Sequence, residues 1–125
     1  MNKYIKIGAI TAMLSVILGA FGAHMLEERI SADALDVYQT GVQYHMFHSA
    51  GLLLIALFMD RAASTKLAVW AARLLLIGIV LFSGSLYALA LSDVKVLGAI
   101  TPIGGVAFIA GWICLALSAK SDKKS

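Results

Sequence analysis

The chain contains only one cysteine and one proline, and only 14% of its residues are charged. A single cysteine, Cys114, excludes an intramolecular disulfide and any cysteine cluster for a metal, so we expect it to be a small packing residue. The shortage of charge excludes an ordinary soluble domain, in which about a quarter of the residues are charged. Phosphate loops, GxSxG, HExxH and paired carboxylates within an apolar segment are also missing, so the sequence predicts neither an enzyme nor a bound cofactor.

Most of the chain consists of long apolar runs. Hydrophobic residues make up 61% of the 125-residue chain, and the mean hydropathy is +0.90. Four runs, at about 7–25, 41–59, 74–91 and 97–119, are long enough to cross a hydrocarbon core of about 30 Å as helices. None alternates as a barrel strand would, and helices satisfy their own backbone in lipid. The sequence therefore predicts an all-α, polytopic membrane protein with one domain, a four-helix up-down transmembrane bundle.

The basic residues predict how the bundle is oriented. Eight of the ten lie on one side of the membrane in this topology: Lys3, Lys6, Arg61, Lys66, Arg73, Lys120, Lys123 and Lys124. Only Arg29 and Lys95 lie on the other side. By the positive-inside rule both termini are cytoplasmic. Because the basic residues border apolar runs, the net charge of +3 indicates topology and not nucleic-acid binding.

The first apolar segment has two interpretations. Lys3 and Lys6, the apolar run and the small residues Ala20 and Gly22 resemble a cleavable signal peptide. The run is longer than a usual signal core, and its small residues are spaced for helix packing. We expect the segment to be retained.

The second helix is expected to begin outside the membrane, from about residue 32. Ser31 can cap a helix, and Asp33 suits its first turn. Leu35, Tyr38 and Val42 then recur at helical spacing. The first turns would lie in or above the outer headgroups.

Small residues form one stripe on the first helix and another on the fourth. The first stripe is Gly8, Ala12, Ser15, Gly19 and Gly22, and the second is Gly104, Ala107, Gly111, Cys114 and Ser118. Small faces let helix backbones approach closely, which is a main source of association in lipid. We therefore expect the first and fourth helices to pack against each other.

Polar residues in the outer half of the spans form the candidate functional group. They are His24, His48, Ser85, Tyr87 and Thr101, with His24 the least secure because it lies off the small stripe. His48 is expected to point into the bundle, near Ser85 or Tyr87, because a lipid-facing imidazole would leave its polar atoms unsatisfied. Thr101 either caps the fourth helix with Pro102 at its first position, or the helix starts near Leu97 and Pro102 kinks it.

Three roles for these residues compete. The favoured one is a hydrogen-bonded polar core that sets helix register. A proton or solute pathway that uses histidine protonation is the second. A metal site from His24, His45 and His48 is the weakest, because neither a cysteine nor a carboxylate joins them within the spans.

Four motifs, in order along nearly the whole chain, resemble a known family. They are GAFGAH at 19–24, TGVQYHMFH at 40–48, LFSGSLYALAL at 81–91 and GAITPIGGVAFIAGW at 98–112. They are similar to the YwdK/YgdD-like family, a domain of unknown function in small bacterial inner-membrane proteins with a small eukaryotic transmembrane relative. His24, His48, Ser85 and Tyr87 match its motifs. Two positions depart from its pattern, Tyr38 where a Trp is common and His45 where a Gln is common, which weakens the metal hypothesis further.

The resemblance implies a multi-pass protein of the bacterial plasma membrane and implies no activity. We expect a structural or assembly partner that contacts the lipid bilayer and another membrane protein or a second copy of itself. The alternative is a small transporter or a proton or solute pathway through the polar group. The inner halves of the spans are sparse in polar residues, which favours the first hypothesis.

Overall fold

The computed structural model describes residues 2–119, and every described helix is apolar. The helices are α1 (Asn2–Leu26), α2 (Ala32–Arg61), α3 (Thr65–Ser92) and α4 (Lys95–Ser118). Each is long and apolar enough to cross a membrane, and the described residues contain no strand. The prediction of an all-α fold with four membrane-spanning helices is confirmed. The basic tail residues Lys120, Lys123 and Lys124 lie outside the described residues.

Serine side chains begin two of the helices. The Ser31 hydroxyl accepts a hydrogen bond from the Ala34 N–H at 3.0 Å, and α2 starts at Ala32, as the sequence predicted. The Ser64 hydroxyl accepts from the Leu67 N–H at 3.2 Å at the start of α3. Each cap satisfies a backbone donor that the first helical turn leaves free.

The start of α4 differs from the expectation. A 3₁₀ turn, Lys95–Ala99, precedes the α-helical part, Thr101–Ser118, and the capping residue is Ile100. Thr101 is therefore inside the first turn and does not cap it. Pro102 also lies in that turn, where its missing N–H costs nothing.

Helix α2 lies at the centre of the bundle, between α1 on one side and α3 and α4 on the other. Half of its apolar stretch is buried, against 17% for α1. A core of buried residues fills the end of the bundle where α1 and α3 begin, with five residues from α3 and four from α2. This core contains Tyr4, Leu52, Ile55, Ala56, Met59, Ala68, Ala71, Ala72, Leu75, Ile79 and Phe108.

The two small stripes do not face each other, so the expected packing of the first helix on the fourth is wrong. On α1, Gly8 lies against Leu53 and Gly19 against Val42, both on α2. On α4, Gly104 lies against Phe82 and Gly111 against Leu75, both on α3. Each stripe thus meets the helix next to it in the sequence. A small face accepts any helix that presents fitting side chains, so its pattern does not identify the neighbour.

Two helices contain a wider π-helical turn. In α1 the turn is Ile17–Gly22, where the Ala23 N–H bonds to the Leu18 carbonyl. In α3 the turn is Ile79–Ser83, where the Gly84 N–H bonds to the Ile79 carbonyl. Such turns shift the side chains that follow and occur often at functional sites. Both lie beside the polar residues of α2.

Candidate functional site

A hydrogen bond joins α2 to the π turn of α1. The Tyr38 hydroxyl donates to the Leu18 carbonyl at 2.7 Å, and Tyr38 is almost fully buried. Gly22 makes the approach possible, since a Cβ at that position would overlap the Tyr38 hydroxyl. The sequence placed Tyr38 on the inner stripe of α2, but nothing in it indicated that its partner would be a backbone carbonyl.

Two further bonds join α2 to α3. The His45 Nδ1 and the Tyr87 hydroxyl are 2.9 Å apart, and the Ser83 hydroxyl donates to the Gly41 carbonyl at 2.7 Å. The Tyr87 ring also packs against Gly41 and lies 5.1 Å, centroid to centroid, from the Tyr38 ring. The α1 contact and the α3 contacts of α2 are therefore continuous with one another.

His48 joins α2 to α4. The Trp112 indole N–H donates to the His48 Nε2 at 3.1 Å, and His48 Nδ1 lies 2.8 Å from the Tyr44 carbonyl. An indole nitrogen can only donate, so Nε2 accepts and the proton of the neutral ring is on Nδ1, where it bonds to the carbonyl. The imidazole also stacks on Phe108, with centroids 3.5 Å apart and planes at 12°. Both ring nitrogens are satisfied without any ligand.

The predicted polar residues do not form one cluster. His48 is buried, as expected, but its partner is Trp112 on α4, not Ser85 or Tyr87. Ser85 and Thr101 share a hydrogen bond between α3 and α4, and Tyr87 bonds to His45. The His24 side chain is 85% exposed and lies 3.7 Å from Glu27 at the end of α1. We call the interhelical contacts of Tyr38, His45, His48, Ser83 and Ser85 the polar network.

Sequence reasoning missed three members of this network: His45, Ser83 and Trp112. His45 was set aside because the related family often has Gln there, although it shares a stripe with Tyr38 and His48. Trp112 lies about 100° around the helix from Gly111, off the small stripe, so the stripe did not indicate it.

Two buried polar atoms in the centre of α2 have no partner. They are His45 Nε2 and the Ser49 hydroxyl oxygen, one helical turn apart, although the Thr11 backbone on α1 lies within reach of the His45 imidazole. Within residues 2–119 no group of three potential metal ligands is found. A buried polar atom without a hydrogen bond costs free energy. A water or solute molecule that bonded to these atoms would therefore lower the free energy of the bundle.

Four apolar helices joined by buried hydrogen bonds define the class: a small polytopic membrane protein with an internal polar network. Residues 18–105 match the family model described as a protein of unknown function, DUF423. The chain belongs to this family, and the resemblance inferred from the four motifs is confirmed.

The most similar relatives include two with names in common use. The chain is 50% identical over 119 residues to the UPF0382 membrane protein YwdK of Bacillus subtilis (strain 168), covering 95% of this chain and 97% of the relative. It is 43% identical over 111 residues to the UPF0382 inner membrane protein YgdD of Escherichia coli (strain K12), covering 89% and 84%. No solved structure matches the chain.

Proposed function

We propose that the chain is a non-enzymatic structural or assembly partner of other proteins in the bacterial plasma membrane. The observation that carries this proposal is that the polar side chains within the spans form hydrogen bonds between helices. Tyr38, His45 and His48 bond to α1, α3 and α4 respectively. These groups hold the bundle together, and a protein built in this way is suited to present a stable surface.

Helix α1 offers the surface for a partner. Its small stripe is used against α2, while its opposite face exposes bulky apolar side chains: Ile10, Leu14, Ile17 and Phe21. A helix of another protein, or of a second copy, can pack there without disturbing any bond of the polar network. Lipid is as apolar as these side chains, so the hydrophobic effect does not drive helices together there. Association depends on van der Waals contact, and the partner must therefore fit the shape of this face.

Photo-crosslinking in native membranes tests this proposal. A photoreactive residue replaces Leu14 or Phe21 on α1 and, as the matched control, Ile103 or Ile109 on the exposed face of α4. We expect one discrete protein adduct from the α1 positions and lipid adducts alone from α4. Lipid adducts alone from both faces would contradict an assembly role for α1.

Both termini are proposed to be cytoplasmic, on the strength of the eight basic residues on that side. Cysteines at Ala63 and Glu28, placed singly in a Cys114→Ala chain, lie in connections on opposite sides of the membrane. An impermeant thiol reagent added to intact cells should label only position 28. Labelling at position 63 alone would reverse the orientation.

A proton or solute pathway is the second candidate, and the buried Ser49 hydroxyl, which has no hydrogen-bond partner, favours it. Proteoliposomes with an imposed pH gradient test this alternative. A pathway requires proton or solute flux that His45→Gln and Ser49→Ala abolish while the unfolding temperature is retained. Flux equal to that of protein-free liposomes would exclude it.

A further inference from the structure

An arginine is held in a fixed orientation at the end of the bundle where α1 and α3 begin. The Arg73 Nε donates to the Tyr4 hydroxyl at 3.2 Å, and the guanidinium carbon lies 5.2 Å from the centroid of the Trp70 ring. Tyr4 is itself buried in the core, so its hydroxyl is a fixed acceptor. The contacts use Nε and one face of the guanidinium. The two terminal nitrogens remain available as a fork of donors.

Arg73 lies at the boundary between hydrocarbon and headgroups. Helix α3 has 28 residues, and its uninterrupted apolar run, 74–91, begins directly after Arg73. The eight helical steps from Thr65 to Arg73 rise about 12 Å along the helix axis. That length carries the chain from the end of the apolar run through the headgroup layer, which places the guanidinium at the depth of lipid phosphates.

A second cation, and no paired carboxylate, is found beside Arg73 among the described residues. Among residues 2–119 the guanidinium forms no ion pair with a carboxylate. The ammonium of Lys3 lies 5.7 Å from the centroid of the Tyr4 ring, so a second cation stands beside the same tyrosine. A cation at the edge of hydrocarbon needs a counter-charge. No carboxylate among residues 2–119 pairs with the guanidinium, so a phosphate of the surrounding lipid can supply the counter-charge.

We propose that Tyr4, Trp70 and Arg73 form a binding site for the phosphodiester of an anionic phospholipid. The terminal nitrogens of Arg73 donate to two phosphate oxygens, and Lys3 adds electrostatic attraction to the headgroup. Ile77, one turn deeper on α3, is exposed and offers apolar surface to an acyl chain. The site does not depend on whether the chain has a protein partner.

Native mass spectrometry of the purified full chain tests the site, because it counts lipids on folded protein only. The probes are phosphatidylglycerol and phosphatidylcholine with matched acyl chains. Wild type should retain the anionic lipid in preference, and Arg73→Gln should reduce that preference about five-fold, the loss expected for one basic residue near a lipid surface. Arg73→Lys keeps the charge but loses the fork, and should fall between the two.

Arg61→Gln is the matched control, since it removes one arginine charge from the same end of the bundle outside the site. It should leave the preference within about two-fold of wild type, as expected for an exposed charge screened by salt. An equal loss in Arg61→Gln and Arg73→Gln would overturn the proposal in favour of general attraction. Displacement of the lipid by millimolar glycerol phosphate would also overturn it, because the site would then be one for a free anion.

Discussion

Two adjacent glycines of α4 show how strongly single atoms decide packing in this bundle. A Cβ at Gly104 would overlap the main-chain nitrogen of Phe82 on α3, whereas a Cβ at Gly105 would meet only the Phe82 ring, at 3.9 Å. The first contact is with backbone, which cannot rotate away. The second is ordinary van der Waals contact. Both glycines belong to the same motif, so the sequence does not distinguish them.

We expect Gly104→Ala to lower the free energy of unfolding by ~1–3 kcal/mol, the usual cost of overpacking. Gly105→Ala serves as the control and should be neutral or slightly stabilising, because alanine favours a helix over glycine. Thermal unfolding of both variants in the same detergent measures the difference. Equal unfolding temperatures would mean that α3 and α4 do not approach at Gly104.

The His48–Trp112 hydrogen bond should contribute modestly to stability. Trp112→Phe removes the N–H donor and keeps an aromatic ring, so we expect a loss of about 0.6 kcal/mol, the average for such bonds in membranes. In a His48→Leu background the effect of Trp112→Phe should shrink, and chemical or thermal unfolding of the four variants measures it. A full effect in that background would show that the two side chains are not coupled.

The burial of His48 could be predicted from the sequence, because it follows from the free-energy cost of exposing an imidazole to lipid. The partner of His48 could not, because it depends on how the helices are placed relative to one another. A buried position for His48 follows from the cost of an unsatisfied imidazole in hydrocarbon, and the structure agrees. Its partner depends on the relative depth of α2 and α4, which the connecting turns set. The 3₁₀ turn at Lys95–Ala99 and the π turn in α3 alter those depths, and neither has a sequence signal.

Among the features of the individual helices, a helix end with a local side-chain cap is the one that the sequence predicts well. Ser31 was expected to cap α2, and its hydroxyl accepts the Ala34 N–H. The cause is local, since the cap and its donor are three residues apart. Thr101 does not cap α4. Its hydroxyl forms a tertiary hydrogen bond with Ser85 on α3 instead.

Ser31→Ala should destabilise the outer end of α2 by about 1 kcal/mol, the typical cost of losing a capping side chain. Thr40→Ala is the control, because the exposed Thr40 hydroxyl bonds only within the helix, to the Asp36 carbonyl. Amide hydrogen exchange should accelerate at Ala34 and its neighbours in the first variant alone. Unchanged exchange there would show that α2 begins deeper in the chain.

For the molecule as a whole, the composition and the length of the apolar runs were sufficient to predict the class of fold. The four apolar runs leave helices as the only spanning structure, and four spanning helices are present. The arrangement of those helices was not predictable. Lipid is as apolar as the helix faces, so apolarity identifies which surfaces are in the membrane but not which surfaces meet.

The polar network bonds α2 to each of the other three helices, and α1 packs against α2 and away from α4. The Leu53 side chain lies 2.9 Å from the point a Gly8 Cβ would occupy, which is within reach of a disulfide. The direct measurement is oxidative cross-linking of paired cysteines in native membranes, in a Cys114→Ala chain, read from the masses of disulfide-linked peptides. We predict that Gly8→Cys with Leu53→Cys cross-links and that Gly8→Cys with Gly111→Cys on α4 does not. Cross-linking of the α1–α4 pair with none of the α1–α2 pair would contradict it.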